Sequence, residues 1–92
     1  MSVKITQIHL SADGTDHEHI TDLTWVCNQD GSTESGSRAA LVAWIGNKGD
    51  AFVETPNGRV RVGIVEPVGL QPYLRTFAND EWTDALLTLP RF

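Results

Sequence analysis

The sequence predicts an α+β domain: an antiparallel sheet of four to five strands with one main helix packed on one face. Three observations lead there. Apolar residues alternate with polar ones in Val3–Leu10 and again from Ile20 to Cys27. An Asn57-Gly58 step separates two arms rich in β-branched residues. Only one stretch, Arg38 to about Ile45, combines a serine cap with an apolar run of helical character.

Val3–Leu10 (VKITQIHL) reads as the first strand, and Asp13-Gly14 marks the turn after it. From Ile20, Leu23, Trp25 and Cys27 recur two apart, which gives a second strand with Asp22, Thr24 and Val26 on its other face. The two strands are expected to pair as a hairpin. Asn28–Ser37 (NQDGSTESGS) is polar and rich in Gly and Ser, and is expected to be an exposed loop. Ser35 or Ser37 is placed to cap the helix, and Gly46 or Asn47 to end it in a left-handed conformation. Ala51–Thr55 and Arg59–Val65 form the arms of a second hairpin, with Val60, Val62 and Ile64 inward and Arg59 and Arg61 in solvent. Tyr73–Phe77 fits a short fifth strand, and Trp82–Leu89 a final turn or short helix. Trp25, Leu41, Trp44, Phe52, Val60, Val62 and Ile64 are the expected core.

A chain of 92 residues has room for one domain and one core. The single cysteine, Cys27, permits no intrachain disulfide and points to a reducing, cytoplasmic setting, the host cytosol if the gene belongs to a phage. The first residues hold no apolar signal core, and the longest apolar run, Ala39 to Ile45, is too short for a membrane span.

The net charge of −5 is unevenly placed. Asp13, Asp16, Glu18, Asp22, Asp30 and Glu34 stand against Lys4 alone in the first 37 residues, and the remainder is balanced. A nucleic-acid binder needs the opposite bias, so no strong direct nucleic-acid binding is expected. An acidic segment repels phosphate and attracts basic protein surfaces. Arg59 and Arg61, with Lys48 and Arg38, make too small a basic stripe to reverse this.

No nucleotide-binding, metalloprotease or nucleophile motif occurs, which argues against an enzyme and for a protein without a cofactor. His17-Glu18-His19 is the most suggestive cluster. In an extended segment the two imidazoles share a side, as two ligands of a zinc ion would. The alternative reading is therefore a metal- or small-ligand-binding bacterial domain, with His9 or Asp16 as a further ligand. A zinc site needs three or four converging ligands, and no second pair is present, so no bound metal is expected. Asp80, Glu81 and Asp84 form a second acidic cluster, in which the simplest role for Asp80 is to cap the last turn. A third possibility is docking through the apolar helix.

His17-Glu18-His19-Ile20 with Leu23 and Trp25, and Tyr73-Leu74-Arg75-Thr76 with Thr83-Asp84-Ala85-Leu86-Leu87-Thr88-Leu89-Pro90, resemble a family of small bacterial proteins of unknown function. Ala85 stands where that family usually carries Asn, so an activity resting on that Asn is absent here. In size, acidity and lack of catalytic residues the chain is also similar in type to phage anti-CRISPR proteins. That similarity implies a non-catalytic inhibitor that docks on the basic, nucleic-acid-gripping surface of a CRISPR surveillance complex and blocks target DNA. The expected partner-binding residues are Asp13, Asp16, Glu18, Asp30 and Glu34, together with the loop Asn28–Ser37.

Overall fold

A computed structural model describes every residue except Met1, Asp13, Thr15, Asn57, Asn79 and Asp80. It is an α+β fold with one main helix against a largely antiparallel sheet. The strands are β1 (Ser2–Leu10), β2 (Ile20–Cys27), β3 (Thr33–Ser37), β4 (Asp50–Thr55), β5 (Gly58–Val65), β6 (Tyr73–Ala78) and β7 (Glu81–Thr83). The helix α1 spans Arg38–Gly46, and short 3-10 turns cover His17–His19 and Ala85–Thr88. The order across the sheet is β3-β2-β1-β4-β5-β6-β7, and only β1 and β4 run parallel.

The sheet has seven strands rather than four or five, because two short ones were hidden in polar sequence. Thr33–Ser37, expected to be loop, pairs antiparallel along β2 and forms the sheet edge. It contains no apolar residue, yet it satisfies the backbone groups β2 would otherwise leave open. The end of the chain, expected to be one turn or helix, divides into β7 and the turn Ala85–Thr88.

The β1–β2 hairpin forms as expected, with one irregularity. Val3 and Ile5 are buried, and then Ile8 is. The register shifts between Ile5 and Gln7, so a bulge at Thr6 turns the even-numbered residues inward. Farther along, Arg91 bridges to Ile8, whose N–H donates to the Pro90 carbonyl at 3.0 Å while the Phe92 N–H donates to the Ile8 carbonyl at 3.1 Å. The end of the chain thus lies against β1 beyond the reach of β4. The 3-10 turn His17–His19 packs on β6.

Ser37 caps α1 by accepting from the Ala40 N–H at 3.1 Å. The left-handed residue after the helix is Lys48, with φ 73°, not Gly46 or Asn47. The helix runs on through Gly46, and the Lys48 and Gly49 N–H groups return to the carbonyls of Ile45 and Trp44. The core is also redistributed. Leu41, Phe52 and Val62 are buried as expected, but the centre of the core is Ile5, Ile8, Ile20, Leu23, Val53, Leu74 and Leu86. Trp25, Trp44 and Ile64 only border it, because α1 leaves its indole-bearing end half open. Val60, near the hairpin tip, is half-buried. Phe52 is covered from the opposite face, by the Arg59 guanidinium 4.3 Å above its ring.

Candidate functional site

Two features stand out: a polar cluster around His17, and the acidic side formed by β2, β3 and the turn before β2. The cluster starts at Asp16, whose Oδ1 accepts from the His17 N–H at 2.7 Å. The Asp16 N–H donates to His19 Nδ1 at 3.1 Å, which closes a capping box. The segment is therefore a 3-10 turn and not extended. Successive side chains on such a turn are about 120° apart, so His17 and His19 leave by different sides. His17 turns inward and is 2% exposed, while Glu18 lies in solvent. Among the described residues, no group of three or more His, Cys, Asp and Glu could hold a metal ion.

His17 Nδ1 lies 3.3 Å from Asp16 Oδ1. An ionised carboxylate only accepts, so Nδ1 carries the hydrogen and the neutral ring presents a bare lone pair at Nε2. Nε2 is 3.9 Å from Asp84 Oδ1, another acceptor, and has no hydrogen-bond partner among the described residues. Asp84 is instead held by Arg75 Nη2 at 2.8 Å, and Arg75 Nε donates to the Thr83 carbonyl at 3.1 Å. Thr76, fully buried, donates to the same carbonyl and accepts from the Ala85 N–H at 3.1 Å. Burial pushes the His17 pKa down, and the Arg75 charge adds to this against the opposing pull of Asp16 and Asp84. Hydrogen bonds from His17 hold the Asp16 carboxyl below its ordinary value. Asp80, the expected cap of the last turn, lies outside the described residues, and Asp84 makes no capping hydrogen bond to the turn that follows. The cluster joins segments far apart in the chain. Their quoted motifs were visible in sequence, but their convergence was not.

The five expected partner-binding carboxylates do not form one tight group. Asp13 lies outside the described residues. Asp16 and Glu18 sit before β2, and Asp30 follows its far end, so the eight-residue strand between them spans about 26 Å. Glu34 lies on β3 opposite Trp25. Asp30 is engaged locally, accepting from the Ser32 N–H at 2.9 Å, which holds its pKa down. Glu18 and Glu34 are exposed.

What unites this side is that its carboxylates lack ion pairs with Lys or Arg among the described residues, although the Arg38 guanidinium donates to the Glu18 carbonyl at 2.7 Å. Among the described residues, Asp16, Glu18, Asp22, Asp30 and Glu34 make no ion pair with Lys or Arg. Lys4, the only cation of the first 37 residues, turns to Glu54 at 3.9 Å. In the second part Arg59 lies by Glu54, Arg61 by Asp50 and Arg75 by Asp84, while Glu66 and Glu81 make no ion pair among the described residues. Arg59 and Arg61 are thus exposed as expected, but each has a carboxylate beside it.

Between α1 and the β2–β3 edge lies a pocket of about 190 Å³, bordered by Trp25, Glu34, Leu41 and Trp44. Trp25 was expected in the core from its alternation with Leu23 and Cys27, and Trp44 from its helix packing on the sheet; both pack against the core but also border this pocket. The buried thiol of Cys27 also borders it.

The fold and these features define a small α+β protein whose β2–β3 side carries carboxylates without Lys or Arg ion pairs among the described residues, and no helix of the described residues is long and apolar enough to cross a membrane. The chain belongs to a family described as proteins of unknown function, DUF3892, whose model matches residues 4–90. Comparison with curated proteins and with solved structures gave no match.

Proposed function

We propose that the protein works without catalysis, by binding a basic protein surface through its β2–β3 side. The observation that carries this reading is the run Asp16, Glu18, Asp22, Asp30 and Glu34 on one side, which has no Lys or Arg ion pair among the described residues, whereas Asp50, Glu54 and Asp84 have one. Charge that a small domain could neutralise and does not is available to a partner, and it speeds encounter with a positive surface. The edge strand β3 adds a second means of recognition. Among the described residues no strand pairs with its outer side, so an extended segment of the partner can add there by backbone hydrogen bonds.

Surfaces that grip nucleic acid are the natural class of target, because their Lys and Arg are arranged for phosphate and accept carboxylates in its place. CRISPR surveillance complexes belong to that class, and a protein seated on their DNA channel would block target binding. Amide chemical-shift mapping with a nona-arginine peptide tests the site. Shifts are expected at Asp16–Glu18, along β3 and at Asp30. Shifts confined to the β4–β5 hairpin would contradict it. With a purified surveillance complex the expected result is loss of target-duplex binding as the protein is added. Undiminished DNA binding would remove that complex as the partner.

A further inference from the structure

The pocket between α1 and β3 combines two indoles with one charged group. Trp25 comes from β2 and Trp44 from α1, and Glu34 on β3 supplies the carboxylate. Both rings lie close against glycine backbone, Trp25 by the tip of its six-membered ring and Trp44 by the middle of its indole. A Cβ on Gly36 would stand 2.8 Å from the Trp25 ring, and one on Gly49 would stand 2.4 Å from the Trp44 ring. Such close seating fixes the rings before anything binds, which lowers the ordering cost of recognition. The volume, about 190 Å³, is below the range of about 300–1,000 Å³ usual for drug-sized ligands. It suits a single side chain.

We propose that this pocket receives one arginine or lysine side chain of the basic partner, held between Trp25 and Trp44 with Glu34 as its counter-ion. The inference rests on the function proposed above and names the contact through which it acts. The electron-rich faces of indoles attract cations, and they do so best of the aromatic side chains. Glu34 is the only ionised group bordering the pocket and has no Lys or Arg partner among the described residues. An apolar side chain would satisfy the indoles but gain nothing from the carboxylate. An anion would be repelled by it.

The test uses single amino-acid derivatives on the intact protein, so it needs no partner. N-acetyl-arginine amide and N-acetyl-lysine amide are titrated while the indole N–H resonances are followed, with N-acetyl-norleucine amide as the neutral control. Trp25 and Trp44 should shift saturably with the cations, in the millimolar range, and Trp82, on a strand at the other end of the sheet, should not. Glu34→Gln, at an exposed position, should weaken cation binding about three- to tenfold without unfolding the protein. Equal response to norleucine amide, no saturable response to either cation, or unchanged affinity in Glu34→Gln would overturn the proposal. Failure here with nona-arginine still bound along β2–β3 would remove the pocket and leave the acidic surface. Cation binding here without any response to nona-arginine would do the reverse.

Discussion

Leu23→Ala should lower the folding stability by about 2–5 kcal/mol, the range for removing a fully buried leucine. Leu23 is 0% exposed and stands opposite Ile8 on β1, within the cluster that also holds Ile5, Ile20, Val53, Leu74 and Leu86. The loss combines the transfer free energy of the missing carbons with the cavity they leave, because neighbouring strands cannot close over it. A small domain is stable by roughly 5–15 kcal/mol, so this one change removes a large share of the total. Urea unfolding of wild type and variant measures it. A cost below 1 kcal/mol would show that the core is centred elsewhere.

Stability should also fall as the pH drops below about 6.5, and His17 should be responsible. Its folded pKa is depressed from the ordinary 6.5, first by burial and then by Arg75. The neutral ring therefore favours the folded state. Above 6.5 that contribution is complete. Below it the unfolded chain takes up a proton that the folded chain refuses, and stability is lost until the pH passes the lowered folded pKa. The groups facing the ring are Asp16 on its own turn, Asp84 after β7 and Arg75 on β6. Asp16 acts in a separate window, since its own pKa is lowered from 3.8. Unfolding measured between pH 8 and pH 5 for wild type and His17→Gln isolates the imidazole. The variant should lose the part of the slope that wild type shows below 6.5. Parallel slopes, or a wild type that gains stability on acidification, would contradict the assignment.

The parts of the fold that were legible in sequence are those in which one face is buried. β1, β2 and β5 carry their burial in their patterns, α1 was read from its serine cap and apolar run, and the bulge at Thr6 was not foreseen. β3 was illegible because an edge strand of Thr, Glu, Ser and Gly owes its place to backbone pairing with β2, which side-chain pattern does not record. The His17–His19 segment misled because its geometry is set by the Asp16 capping box, and alternation was the wrong period for it. Large aromatic residues were taken for core centre, whereas Trp25 and Trp44 border an open pocket. The acidic side itself could be read from composition. Its lack of Lys or Arg ion pairs among the described residues could not, because Lys4 lies among the acidic residues in sequence and pairs with Glu54 only through the parallel contact of β1 and β4.

The most direct measurement of the central claim is the affinity for nona-arginine as a function of salt, in wild type and in Asp30→Lys/Glu34→Lys. Each exposed carboxylate contributes roughly 0–1 kcal/mol, so the pair reversed together is needed for a clear effect. Both residues lie in solvent on β3 or the turn before it, and the double variant should keep its fold. The expected result is weaker binding and a shallower dependence on salt, since fewer charges are left to be screened over a Debye length of about 8 Å. Equal affinity with an equal salt slope would mean that the acidic side is only a solvated face.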